Sequence, residues 1–137
     1  MSGNLIFIDT SGFFALLDRD DQFHQAALKK WKLLFENRTE LITTDYIRLE
    51  SLALIQRHLG SKAALSFYDH LLPICTLYPV HEETFQIAVA QWRMARRKNL
   101  SIVDLTSFEC MRKLRIEEAL SFDHHFVEQG FTITSSK

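Results

Sequence analysis

Glycine and proline are scarce, at four and two in 137 residues. That is too few for a flexible linker, and the chain carries no repeat or low-complexity tract, so it reads as one continuous unit. Cysteine is scarcer than a disulfide framework needs. Cys75 and Cys110 both sit among apolar residues ("PICTL", "FECM"), the setting of a packed thiol rather than a reactive or metal-binding one. No secretory leader is expected, and no apolar run approaches the roughly 20 residues of a membrane span. A reduced, soluble, cytoplasmic protein with no membrane partner is the expectation. An excess of one charge is also missing: 16 Lys and Arg stand against 17 Asp and Glu, a net charge of −1. Contact with a polyanion therefore needs a local patch.

What the chain has is apolar bulk. A 47% hydrophobic composition with eleven phenylalanines is enough to bury a sizeable core, and the length suits one compact domain. Residues 4 to 8 read as a buried strand and 11 to 17 as a short helix, followed by the loop "DRDDQ". The segment "HQAALKKWKLLFEN" is helical, with Ala27, Leu28, Trp31, Leu34 and Phe35 at helical spacing. "ELITT" reads as a second strand feeding a helix capped by Thr44 or Asp45 and stopped near Gly60. A helix over 62 to 72 precedes a third strand, "ICTLYPV". The long helix "EETFQIAVAQWRMARRK" and another from about 103 to 115 follow, and "EALSF" and "FTITS" close the chain as short strands. Strands alternating with helices predict an α/β fold with a mainly parallel sheet covered on both faces. Sites in such sheets form at the carboxyl ends of strands.

Four acids stand in matching contexts. Asp9 in "LIFIDTSGFFALL" ends an apolar strand, where an unpaired charge is heavily penalised. Glu50 lies in a largely apolar helical stripe near Tyr46, Ile47, Ala53, Leu54 and Arg57. The plain alternative is a glutamate paired with Arg57 or another base. Asp104 opens a helix in "LSIVDLTSFECM", and with Ser101 it has the spacing of a capping box. Asp123 follows "EALSF" as Asp9 follows the first strand, and an acid there also serves to cap "HHFVEQG". Each acid alone has an ordinary structural role; together they suit one edge of the sheet. Two carboxylates about 4 Å apart repel by roughly 4 kcal/mol at an effective dielectric near 20. Three or four converging oppose folding unless protons or a cation neutralise them. Oxygen ligation suits Mg²⁺ or Mn²⁺ rather than structural zinc, and such an ion polarises a phosphoryl oxygen and activates water for phosphodiester hydrolysis.

On these residues the sequence resembles the PIN-domain ribonucleases, which include the toxin subunits of bacterial VapBC toxin–antitoxin modules. The resemblance covers nearly the whole chain, 1–137, as a single PIN-like domain. It rests on "FIDTS" with Asp9 and Thr10, on "DYIRLESLALI" with Glu50, and on "LSIVDLTSFECMRKLRIEEALSFDHHF" with Asp104 and Asp123. Thr10 and Ser121 stand as supporting hydroxyls. The resemblance implies a three-layer α/β/α sandwich whose acids, Asp9, Glu50, Asp104 and Asp123, bind Mg²⁺ or Mn²⁺ and cleave single-stranded RNA. It also implies a homodimer and, for a toxin, inhibition by an antitoxin protein. The apolar helices 46 to 59 and 62 to 72 are the expected surface for either partner.

Arg93, Arg96, Arg97 and Lys98 cluster beside Trp92 in "QWRMARRKNL", a patch suited to an RNA backbone, single-stranded or structured. The plain alternative is a solvated helix end complementing the macrodipole. Arg112 and Arg115 extend this patch in prospect. His124 and His125 point about 100° apart on a helix, so at most one faces the site easily, and a surface or packing role is expected for both. His24 is expected to pack against or cap the second helix, and Asp18, Asp20 and Asp21 to form a solvated loop. Two other functions compete with the nuclease. An aspartyl phosphatase wants a second Asp two residues after Asp9, where Ser11 stands. A noncatalytic RNA- or partner-binding module would use the acids only as caps.

Overall fold

The computed structural model describes residues 4–97 and 99–134, and Lys98, grouped above with the basic patch, lies outside them. The chain order is β1 Leu5–Ile8, α1 Thr10–Leu17, α2 His24–Glu36, β2 Glu40–Thr44, α3 Asp45–Leu59 and α4 Ser61–Ser66. There follow β3 Thr76–Tyr78, α5 Glu82–Ala95, α6 Ile102–Leu114, β4 Glu118–Leu120, α7 His125–Glu128 and β5 Thr132–Ile133. The five strands form one sheet in the order β3-β2-β1-β4-β5, every pairing parallel. The result is the expected three-layer α/β/α sandwich.

The strand sequences explain the arrangement. Ile6, Phe7 and Ile8 of β1 are all buried, as a central parallel strand covered on both faces requires. In β2 the buried polar residues are satisfied locally. Thr43 Oγ1 donates to the Ile8 carbonyl at 2.9 Å, and Thr44 Oγ1 accepts from Ile47 N at 3.1 Å, capping α3. Phe108 packs edge-on to Phe126 at 4.8 Å, and Phe13 to Phe67 at 4.9 Å. After β1 the chain leaves to build β2 and β3 on one side, and it returns to place β4 on the other. The carboxyl ends of β1 and β4 are therefore the switch point of the sheet, where a crevice is expected.

Several boundaries differ from the expectation. The helix over 62 to 72 is α4 followed by a π-helical turn, Phe67–Leu71, and a 3₁₀ turn, Leu72–Ile74. Pro73 lies inside that last turn, so the third strand begins only at Thr76. The helix begun at Glu82 stops at Ala95 because Arg96 turns left-handed, with φ 49°. "EALSF" leaves the ladder at Leu120, since Phe122 N donates to the Ser11 hydroxyl at 2.9 Å instead of to a strand. "FTITS" keeps only Thr132–Ile133.

Candidate active site

Each of the four acids is delivered by a different element, and all four line one cleft of about 480 Å³. Asp9 follows β1 as the N-cap of α1, its Oδ1 accepting from Gly12 N at 2.9 Å and from the Ser11 hydroxyl at 2.8 Å. Its Oδ2 accepts from the Ser121 hydroxyl at 2.9 Å. Glu50 projects from the second turn of α3, where Oε1 accepts from Thr10 Oγ1 at 2.6 Å, and Ser51 Oγ donates to Thr10 in turn at 3.3 Å. Asp104 closes a capping box with Ser101 at the start of α6. Asp123 follows β4, and its Oδ1 accepts from His125 N at 2.9 Å. The capping roles weighed for Asp9 and Asp104 are therefore real and coexist with convergence: each is fixed at a helix start that opens on the cleft, Asp123 bonds the backbone at the start of α7, and Glu50, inside α3, is held by Thr10 instead.

Gly12 permits this convergence. A Cβ placed there would lie 2.2 Å from the Leu120 carbonyl oxygen, so the absence of a side chain lets α1 close onto the end of β4. Ser11 and Ser121 then bind the two switch-point strands together. Ser11 Oγ accepts from Phe122 N and Ser121 Oγ from Asp123 N, while both hydroxyls donate to Asp9.

The electrostatics follow from burial and crowding. Asp9 is only 4% exposed, and burial pushes its carboxyl up to about 7. The bonds from Gly12, Ser11 and Ser121 oppose that rise, and the Asp123 charge adds to it. Burial likewise pushes Asp104 up to about 6; Asp123 and Glu50 contribute, against hydrogen bonds with Ser101. Burial of Asp9 and Asp104, reinforced by the neighbouring charges, is a cost that a divalent cation would relieve. Among the described residues, ligand atoms of Asp104, Asp123 and His125 lie within 4.8 Å of one another, close enough to share one cation, while Asp9 and Glu50 line the same cleft outside that trio.

Three contributors were not legible as such in the sequence. Ser11, which in the sequence stands out only for not being an aspartate, bridges Asp9 and Phe122 N. His125, expected to be at the surface or packed, has Nδ1 2.9 Å from Asp123 Oδ1 and sits beside the acids; no strand or helix period singles it out from His124. Arg57 does not pair with Glu50, which bonds Thr10 instead, yet it lines the same cleft. His24 behaves as expected, at the start of α2 with Nδ1 2.7 Å from the Ala15 carbonyl oxygen.

The basic patch forms a separate cavity of about 490 Å³ lined by Trp92, Arg93, Arg96 and Arg97 at the end of α5. Arg97 pairs with Glu128 at 3.0 Å. Neither Arg112 nor Arg115 is among its lining residues. Arg112 is held by Glu109 and Gln129 at 2.8 and 2.7 Å, and Arg115 lines a different cavity with Asn4, Glu117 and Glu118, at the amino ends of β1 and β4.

A parallel sheet in this strand order, with acids gathered at its switch point, defines a PIN-type α/β/α domain. The chain belongs to the PIN domain family, whose profile matches residues 6–131. It is 30% identical over 130 residues to the 23S rRNA-specific endonuclease VapC20 of Mycobacterium tuberculosis, covering 93% of this chain and 95% of that protein. The crystal structure of VapC20, described as a Sarcin-Ricin loop cleaving toxin, superposes with a TM-score of 0.76, covering 93% of this chain and 96% of that one. Two more distant structures share the fold. FitAcB of Neisseria gonorrhoeae is 11% identical, with a TM-score of 0.68 over 96% of this chain and 97% of that one. VapBC2 of Rickettsia felis, bound to a promoter DNA fragment, is 8% identical, with a TM-score of 0.70 over 94% and 96%. Among the described residues no helix is long and apolar enough to cross a membrane.

Proposed function

We propose that the protein is a divalent-metal-dependent endoribonuclease acting as the toxin of a toxin–antitoxin pair in the cytoplasm, with Asp9, Glu50, Asp104 and Asp123 as its metal-binding acids. The observation that carries the reading is the convergence of these four carboxylates, from four separate elements, on one cleft at the switch point. The likeness to VapC20 supports RNA as the substrate class, and single-stranded RNA is the form we propose it cleaves. When bound, Mg²⁺ or Mn²⁺ polarises a phosphoryl oxygen and acidifies the attacking water. The chain's own part is positioning. Thr10 fixes the Glu50 carboxylate, Ser101 fixes Asp104, and Ser121 joins Asp9 to the backbone that presents Asp123. Arg93, Arg96 and Arg97, with Trp92 at 48% exposure as a stacking face, hold the RNA backbone.

Homodimer and antitoxin contacts fall to the faces of α3 and α4, where Leu49, Leu65 and, just beyond, Tyr68 are exposed. A phosphatase with Asp9 as nucleophile is disfavoured, because the position two residues on, where that chemistry wants a second Asp, holds Ser11, whose hydroxyl donates to Asp9 Oδ1 at 2.8 Å.

Asp9→Asn tests the reading. Cleavage of RNA with excess Mg²⁺ or Mn²⁺ is expected to disappear while the circular dichroism spectrum is retained, and undiminished cleavage would overturn the assignment. Titrating either metal into the wild type should raise its melting temperature, because a ligand of the native state stabilises it. No rise would leave a noncatalytic binding module.

A further inference from the structure

Among the described residues, eleven line the acidic cleft, and Arg57 is the one cation among them, against four carboxylates. It lies seven residues beyond Glu50 on α3, two turns along, so the two side chains share a face about 10 Å apart along the axis. Ala53 and Leu54 form the wall between them. Its guanidinium is exposed and makes no ion pair among the described residues, whereas Arg97 and Arg112 are held by Glu128 and Glu109. A fork of five N–H donors therefore stands unspent at the mouth of an acidic site.

We propose that Arg57 is a phosphate-binding residue of this cleft, holding the non-bridging oxygens of an RNA backbone phosphate while the adjoining phosphodiester lies against the acids. The proposal rests on the nuclease reading and adds to it a subsite distinct from the Trp92–Arg97 patch. The physical need is plain. A polyanion must approach four carboxylates, and any divalent ion there is shared among them, so net attraction at the rim requires a further fixed positive charge. Guanidinium supplies it with bidentate geometry matched to phosphate, which an ammonium lacks. The competing role for Arg57, in the last turn of α3, is to complement the helix macrodipole. That role predicts a change in stability and none in RNA affinity.

The test measures binding separately from cleavage. In the full-length Asp9→Asn background, the affinity for a fluorescent single-stranded RNA oligonucleotide is followed by anisotropy across a salt series, with and without Arg57→Gln or Arg57→Lys. Arg57→Gln is expected to weaken binding about tenfold and to lower the log–log salt slope by about 0.7. Arg57→Lys should restore the slope but only part of the affinity. The melting temperature should move by no more than about 4 °C. In the otherwise wild-type protein, Mn²⁺ affinity by calorimetry should be unchanged by Arg57→Gln, and KM for RNA should rise more than kcat falls. RNA affinity insensitive to Arg57→Gln, or a loss confined to Mn²⁺ affinity, would overturn the proposal. A wild type that binds RNA with this Arg57 dependence but never cleaves it would remove the nuclease reading alone; no RNA binding at all would remove both.

Discussion

The Ser121 hydroxyl donates to Asp9 Oδ2 at 2.9 Å and accepts from Asp123 N at 3.1 Å, so one buried side chain ties together two acids more than a hundred residues apart. Ser121→Ala leaves both groups short of a partner. We expect a stability loss of about 1–3 kcal/mol by urea denaturation. Mn²⁺ affinity by calorimetric titration should fall roughly tenfold or more, as when a group supporting a ligand is removed. Wild-type metal affinity in this variant would show that the bond supports only the fold.

The raised carboxyls make stability depend on pH in a definite direction. Asp9, at about 7, and Asp104, at about 6, hold protons in the native state that the unfolded chain releases near 4. Their effect on stability therefore becomes less favourable as pH rises from about 4 to about 7. For Asp9 the full cost is on the order of 4 kcal/mol. With chelator present, Asp9→Asn is expected to melt above the wild type, by a margin that grows from pH 5 to pH 8 and shrinks or reverses when Mn²⁺ is added. A margin independent of pH would contradict the burial of a titrating Asp9.

The basic patch is expected to act through charge. Replacing Arg93 and Arg96 together with Gln should weaken RNA binding and lower the log–log salt slope by about 1.4, since each phosphate contact on a single strand contributes about 0.7. Both residues are exposed, so urea denaturation should shift by no more than about 1 kcal/mol in total. A salt slope equal to that of the wild type would assign the patch to the surface alone.

Gly12 offers a test of the switch-point geometry itself. At an ordinary helical position Gly→Ala gains about 1 kcal/mol, but here the new methyl meets the Leu120 carbonyl oxygen. Gly12→Ala is therefore expected to destabilise the protein by about 2 kcal/mol or more and to lower RNA cleavage by parting Asp9 from Ser121. A variant as stable and active as the wild type would mean that the two strands do not close as described.

Much of this was legible in the residues. "LIFI" and "ELITT" are nearly unbroken apolar or β-branched runs, and such runs have few alternatives to a buried parallel strand. Thr44, Gly60 and the Ser101–Asp104 pair carry their capping geometry locally, so the ends of α3 and the start of α6 were readable from a few residues. The third strand, "ICTLYPV", is shorter than its residues suggest, because Pro73 lies in a 3₁₀ turn that continues the preceding helix as far as Ile74. "EALSF" was overextended because the partner that draws Phe122 N out of the ladder, Ser11, lies 111 residues away.

By itself, then, the sequence determined the alternation of strands and helices, three acids at element ends with a fourth inside α3 and, through their order and context, the family. Periodicity and capping are local, and they leave their mark within a few residues. Only the tertiary structure decided which groups meet: that Ser11 and Ser121 share Asp9, that Glu50 turns to Thr10 and leaves Arg57 without an ion pair among the described residues at the cleft, and that Arg115 lies at the opposite edge of the sheet from the acids. These are contacts between distant segments, set by how α1 closes on β4 and by the strand order, and no local pattern encodes them.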